Sequence, residues 1–521
     1  MSAEVALEAV RRRGAFYTPE WLADALVERS FASLRRTEPS ADGASINVLD
    51  PACGDGVFLD SVRRFRSAAG VDPTVSRPNL FGMDIDAGAV GSCQARLGPG
   101  ADIRVGDALF DVDARTPGSG AFADVFVRHG GFDLVVGNPP FLNRLRRAQA
   151  PDREYAARLR ARFGAHAGGY ADVAGVFLAQ AVEIVRPGGV VAFVLPRSLL
   201  STRDANAIRQ VVARRAALET VWWSDDDNLF DHARVRVCAI VVVRDREQAA
   251  IGRFRDRAWR SVAPLAASDF DAAAASGWGS LTDDGDGDWM LGGNAAGTIG
   301  DLAAVTADFR DQYYGIVPYV REGGGPHQLV TCGTIDPLTS LWGQRPVRFA
   351  KRTWAAPTVD AAALRADAPA LRSWLDARTV PKVLVATQTR IVECTVDVDG
   401  SCVPCVPVVT VVPAPDHLWR VAAALSAPVV TRLALRSYRG AARSIDAIKL
   451  SAQQIAALPL PADPDAWERA TALATVLASG RRSTDQWRAF AVAANAAYGI
   501  DDAGLVAWWL DRLPRRIKVD G

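Results

Sequence analysis

The chain has 521 residues, 49% hydrophobic and 23% charged, with a formal net charge of +1, which suits a soluble globular protein of roughly two to four domains and gives no overall sign of a polyanion partner. Seven cysteines, an odd number at irregular spacing, argue against a disulfide scaffold and for reduced thiols in the cytoplasm. The longest apolar runs, such as Val190 to Leu195, are strand-sized and too short for a membrane span, and Met1 to Arg13 has no apolar signal core.

Thr18-Pro19 reads as the start of a helix through Trp21, Leu22, Ala25 and Leu26, with Thr18 as cap and Pro19 at the first helical position. Ile46 to Leu59 follows as strand, small-residue turn and helix. The turn Asp50-Pro51-Ala52-Cys53-Gly54-Asp55-Gly56 lets a ligand approach the backbone closely. It lacks the dinucleotide glycine fingerprint and the Lys-Ser/Thr pair of a phosphate loop. Leu80 to Asp86 is a second strand ending in an acid, where Asp84 is placed to accept from ribose hydroxyls. Ile103 to Leu109 is a third strand end, carrying Asp107.

The fourth strand, Phe132 to Gly137, runs into Asn138-Pro139-Pro140-Phe141. Two prolines cannot continue a central strand, so they stiffen the corner where the strand leaves the sheet. The Asn138 amide, the Pro139 carbonyl and the Phe141 ring are then held at the strand's carboxyl end, an arrangement that suits a flat ring bearing an NH2 group. Four such ends, mostly separated by helix-length segments, predict a doubly wound, mostly parallel α/β sheet. Further on, Val173, Val176, Phe177, Ala181 and Ile184 fall at helical spacing on one face, which reads as a core-facing helix that stops at Pro187-Gly188-Gly189. Val190 to Leu195 is a strand, and Ala205 to Arg215 a helix. Leu218 to Trp223 and Arg236 to Val243 pair around a polar loop. Phe230 sits in that loop, where a large aromatic is unexpected unless it covers something.

Residues 261–300 read as a linker rich in Ala, Gly and Asp; the Asp283 to Asp288 run lacks the spacing of a calcium loop. From 301 the pattern is mixed strands and loops, with 25 Lys/Arg against 21 Asp/Glu to the end of the chain. Basic and aromatic residues interleave at Arg348, Lys351, Arg352, Trp354 and Arg390. They do so again at Arg432, Arg436, Tyr438, Arg439, Arg443 and Lys449, as a phosphate-tracking surface requires. Cys394, Cys402 and Cys405 do not complete a zinc site, so no metal is expected. Residues 464–521 read as a helical appendage.

The order Thr18-Pro19, Asp50 to Gly56, Asp84, Asp107, Asn138 to Phe141 and a separate carboxy-terminal half resembles the amino-group DNA methyltransferases, specifically the TaqI-like (gamma-order) group that methylates adenine N6. The resemblance covers about residues 10–250 clearly and 300–461 more weakly. It implies a Rossmann-like methyltransferase domain at 1–260, a mixed α+β target-recognition domain at 301–463, and S-adenosylmethionine as cofactor. Thr18 and the loop Asp50, Pro51, Ala52, Gly54, Gly56 would hold its methionine part, with Asp84 on the ribose, Ile85 against the adenine and Asp107 accepting from its amino group. Asn138 and Pro139 would accept from the target amine; Phe141 would stack on the base and Phe230 would close over it. Ala108 departs from the aromatic often found there. Double-stranded DNA is the implied substrate, with a separate restriction or defence subunit as an implied partner. An RNA or protein-glutamine methyltransferase, or a non-catalytic DNA-binding protein on this fold, is the alternative.

Overall fold

The computed structural model describes residues 18–519 apart from 38–44, 72–78, 117, 142–149, 169–171, 225, 227–228, 231–235, 269, 271–277, 283–294, 309, 439–446 and 480–481. The chain divides into two compact units, Met1–Asp284 and Gly285–Gly521.

The first unit is built on a nine-stranded sheet. Its strands are β1 (Val48–Asp50), β2 (Leu80–Asp84), β3 (Asp102–Val105), β4 (Phe132–Gly137), β5 (Val185–Pro196), β6 (Ala216–Trp223), β7 (Val237–Arg244), β8 (Ile251–Arg255) and β9 (Arg260–Leu265). Their order is β3-β2-β1-β4-β5-β7-β6-β8-β9. The first five pair in parallel, and β7 is antiparallel to both its neighbours. The central strands are covered on both faces and so read as continuous apolar runs. In β5 the side chains alternate: Val191, Phe193 and Leu195 enter one core, and Val190, Ala192 and Val194 the opposite one.

Helices α1 (Glu20–Thr37), α2 (Val57–Ala68), α3 (Ala87–Leu97), α4 (Val173–Ile184) and α5 (Asn206–Arg215) belong to this unit. α4 is buried almost all round rather than on one face; its polar Gln180 is satisfied by donating to Ala108 O at 2.7 Å and Val112 O at 2.9 Å. The Pro187-Gly188-Gly189 stop falls inside β5, which starts at Val185. Gly189 permits that course, because a Cβ there would sit 2.8 Å from Arg186 O and 3.0 Å from Phe132 O.

Part of the expected linker packs into the first unit. β9 extends the sheet, Trp278 N donates to Leu200 O at 2.7 Å, and Arg197 Nη2, just beyond β5, donates to Thr282 O at 3.4 Å.

The second unit holds two four-stranded sheets. One has the order Ala303–Ala307, Val409–Pro413, Lys382–Ala386, Glu393–Asp397. The other has the order Val320–Glu322, Pro357–Val359, Gln328–Val330, Cys402–Pro404. Helices Leu418–Ser426 and Pro428–Tyr438 fill the core with Val383, Val385, Val409 and Val411. The segment expected to be an appendage enters the same core through Trp467, Trp487, Phe490 and Trp509. All seven cysteines are free thiols. Among the described residues no single helix is long and apolar enough to cross a membrane.

Candidate functional site

Strand order reverses between β1 and β4: the chain winds outward through β2 and β3 on one side and through β5 on the other. The crevice outside the carboxyl ends of such a pair is where open α/β sheets receive ligands. Asp50 ends β1 and Gly137 ends β4, directly before Asn138. Gly137 is required there, because a Cβ would lie 2.6 Å from Asp50 Oδ1.

At the corner, Asn138 Nδ2 donates to Thr18 Oγ1 at 3.1 Å, across 120 residues of sequence. An amide is planar, so fixing its NH2 end also fixes the direction of its Oδ1. Thr18 does not cap α1 as its sequence suggests: Leu22 N and Ala23 N donate to Pro19 O at 3.0 and 3.2 Å, so Pro19 precedes the helix, and the Thr18 hydroxyl accepts from Asn138. Pro139 is buried and Pro140 half-buried. The Phe141 and Phe230 rings meet edge to face, with centroids 6.3 Å apart and planes at 73°. Phe230 is only 2% exposed and packs with Leu22, Val57 and Trp222 in one core, whereas Phe141 borders both. The two aromatics singled out in the sequence are therefore neighbours.

The turn after β1 is shaped by carboxylates. Asp50 is 1% exposed, and burial pushes its carboxyl well above the usual range, against the Ala52 N–H that donates to it at 3.1 Å; Asp84 and Asp55 add repulsion in the same upward direction. Asp84 accepts from Gly54 N at 3.0 Å and Asp86 N at 2.9 Å, so the second strand's acid also holds the first strand's loop. Cys53 N donates to Met83 O at 2.9 Å, a second tie between the loop and β2. Pro51 and Ala52 line the same turn, and Gly56 closes it at φ +88°, where a Cβ would lie 2.7 Å from Cys93 Sγ. Carboxylates gathered at one end of a sheet form a place for a cation.

Beyond β2, Ile85 is 58% exposed, and Val105 at the end of the adjacent β3 is 57% exposed. Two uncovered apolar side chains on neighbouring strand ends suit a flat ring. The sequence flags Ile85 but not Val105, whose exposure depends on which strand lies beside β2. Asp107 caps the short helix Ala108–Asp111 through Leu109 N at 3.1 Å and receives Asp111 Oδ2 on its own N–H at 2.8 Å. Ala108 is buried.

In the second unit Arg348, Lys351, Arg352 and Arg390 are exposed. Arg432 lies on Pro428–Tyr438 with its guanidinium 5.3 Å from the Trp508 ring. Arg439 and Arg443 lie outside the described residues. Among the described residues no group of three or more His, Cys, Asp or Glu side chains could hold a metal ion.

The N-6 DNA Methylase family matches residues 3–256. Among curated relatives, the chain is 28% identical over 227 residues to the Type II methyltransferase M.BanIII of Aneurinibacillus aneurinilyticus, covering 43% of this chain and 37% of that one. It is 30% identical over 178 residues to the Type II methyltransferase M.TthHB8I of Thermus thermophilus, covering 34% and 35%. The matches thus span little more than a third of these relatives' length. Among solved structures, the Type IIL restriction-modification enzyme MmeI in complex with DNA superposes with a TM-score of 0.59 at 13% identity, covering 98% of this chain and 80% of that one; at that identity the likeness is one of fold. Residues 3–256, just under half of the chain, are thus similar to the N-6 DNA Methylase family.

Proposed function

We propose that this protein methylates the N6 amine of an adenine flipped out of duplex DNA at a specific sequence, as a TaqI-like enzyme of a restriction-modification or phage-defence system using S-adenosylmethionine. The observation that carries the reading is the Asn138 amide, held by Thr18 at the switch point beside the acidic β1 turn. The family match and the Type II methyltransferase relatives support it.

The residues present fit the cofactor. Asp50, Asp84 and Asp55 gather negative charge where a sulfonium and an ammonium would lie. The exposed Ile85 offers an apolar wall to an adenine. The Asp50 to Gly56 loop would hold the methionine part, Asp84 the ribose and Asp107 the adenine amino group, while Thr18 holds the Asn138 amide. When bound, S-adenosylmethionine supplies an electrophilic methyl group on a positively charged sulfur.

The rest is the work of this chain. An adenine amine is a poor nucleophile because its lone pair is shared with the ring. Acceptors at Asn138 Oδ1 and Pro139 O, aimed at its two N–H groups, favour the pyramidal nitrogen whose pair points at the methyl carbon. Asn138 Oδ1 and Pro139 O would hold the amine's two protons until one is released after transfer, so no strong base is needed first. Fixed dipoles and positioning supply the acceleration. Phe141 stacks on the flipped base, offsetting an unstacking cost of roughly a few kcal/mol; Phe230, buried and edge-on to Phe141, backs that ring instead of closing over the base as its loop position suggested.

Transfer of a labelled methyl group to DNA, scored for N6-methyladenine, tests the reading. Asn138→Ala is expected to lower transfer on the order of 100- to 1,000-fold with cofactor affinity largely kept. Loss of cofactor affinity with little change in the chemical step would refute the assigned role.

A further inference from the structure

We infer that the hairpin of strands Val347–Phe349 and Arg352–Trp354 is a ribbon laid in the major groove of duplex DNA, with Arg348 and Lys351 reading base edges. The inference rests on the DNA substrate proposed above and adds the element that chooses the sequence.

The two strands pair as Val347 with Trp354, Arg348 with Thr353, and Phe349 with Arg352. Val347, Phe349 and Trp354 are buried, packed with Ile316, Leu329 and Val359, so one face is anchored. The other face presents the Arg348–Thr353 pair, and Lys351 stands at the tip; all three are exposed. Strands in a ribbon lie about 4.8 Å apart, and the major groove, about 12 Å wide, admits a two-stranded ribbon. An arginine next to a threonine on such a face is a reading pair: Arg bonds guanine O6 and N7 together, and Thr reaches an adjacent base edge or a thymine methyl.

The turn gives the independent argument. Ala350 and Lys351 join the strands with φ of +50° and +64°. A two-residue turn with both central residues at positive φ is type I′, whose usual occupants are Asn-Gly. An Ala-Lys pair is strained there, and strain of this kind collects at functional positions. The surroundings over-determine it: Ala350 N donates to Tyr313 Oη at 3.2 Å, and the Tyr313 ring packs edge-on against Phe349 at 5.0 Å. Tyr314, edge-on to Tyr313 at 5.2 Å, leaves 58% of its surface exposed. Among the described residues no acidic side chain is engaged with Arg348, Lys351 or Arg352, and the Arg352 guanidinium lies 4.6 Å from the Trp354 ring. The exposed face carries Arg348 with Lys351 at its tip and is held in place from behind, which complements a groove and its phosphates.

The full-length protein and its Arg348→Ala and Lys351→Gly variants are each used to select binders from a randomised duplex library, and the wild type is also assayed for adenine methylation. Lys351→Gly is the informative variant, because glycine is at home in that turn; its melting temperature should hold or rise. Arg348→Ala should lose a guanine preference at one position, relaxing discrimination there roughly ten- to a hundredfold, and Lys351→Gly should relax a neighbouring position. Three outcomes would overturn the inference: an unchanged selected sequence with affinity lowered uniformly and the salt slope reduced by about one, the mark of a phosphate contact; no change in either variant; or no enriched sequence with the wild type. A wild type that selects a sequence but never methylates adenine would refute the proposed activity and leave the ribbon standing.

Discussion

A missing side chain at Gly137 lets β1 and β4 end side by side, and a hydroxyl at Thr18 fixes what comes next. The corner Asn138 to Phe141 and the acids Asp50, Asp84 and Asp107 were legible in the sequence, because rigid prolines and strand-end carboxylates are local signals. The Thr18–Asn138 bond was not, since nothing local joins positions so far apart. Removing it tests how far it positions the amide. Thr18→Val keeps the shape and is expected to lower kcat about ten- to a hundredfold, the worth of a lost buried hydrogen bond, with little change in cofactor affinity and rescue by Thr18→Ser. A weakened cofactor affinity at unchanged kcat would instead place Thr18 on the methionine part.

Asp50 gives a pH dependence. Its folded-state pKa is raised, chiefly by burial, so the empty site holds a proton more readily than the unfolded chain does. A bound cation favours the carboxylate, and binding must then release a proton. Cofactor affinity should therefore tighten as pH rises through the range where Asp50 loses its proton, and titration calorimetry across pH should show a slope that Asp50→Asn removes.

Among elements, the strands of the first unit were the most legible, because long β-branched runs buried on both faces have few other readings. Helix α4 misled as to its faces: it is apolar nearly all round because it lies inside the unit, not on its surface. Its cap supplies a prediction. Asp172 accepts from Ala174 N at 3.0 Å, yet burial raises its pKa to about 6. The unfolded chain ionises it first, so its contribution to stability falls as pH rises from about 4 to about 6 and stays unfavourable above. Asp172→Asn keeps the cap and removes the charge. Urea unfolding of the variant should show a gain of roughly 1–3 kcal/mol at pH 8 and none at pH 4.

In the second unit the strands are two to five residues long. Alternation over so few positions carries little signal, and the helices Leu418–Ser426 and Pro428–Tyr438 passed unnoticed amid Ala and Val. The basic positions were legible as composition, but the turn geometry at Ala350 and Lys351 was not.

At the scale of the whole molecule, the sequence suggested four segments, whereas the contacts group the chain into two units meeting at Asp284 and Gly285. The helical end is part of a core: Trp487, Phe490 and Trp509 are fully buried there, and Tyr498 Oη donates to Pro459 O at 3.0 Å. Each such aromatic contributes about 1.5–3 kcal/mol of burial, against a typical domain stability of about 5–15 kcal/mol. Deleting residues 464–521 is therefore expected to unfold the second unit, read as loss of its cooperative transition and of DNA binding, while residues 1–284 keep cofactor binding. A truncated chain that still binds DNA with a cooperative melt would refute this.

The chain leaves the first unit at Thr282, whose carbonyl is gripped by Arg197 immediately past β5. That strand lies beside the one bearing Asn138, while the preceding carbonyl, Leu281 O, accepts from Arg253 Nε of β8 at 3.0 Å, so the mooring reaches from the middle of the sheet toward its rim. Removing the Arg197 side chain would therefore loosen the last described residues of the first unit from a position one strand away from the amide.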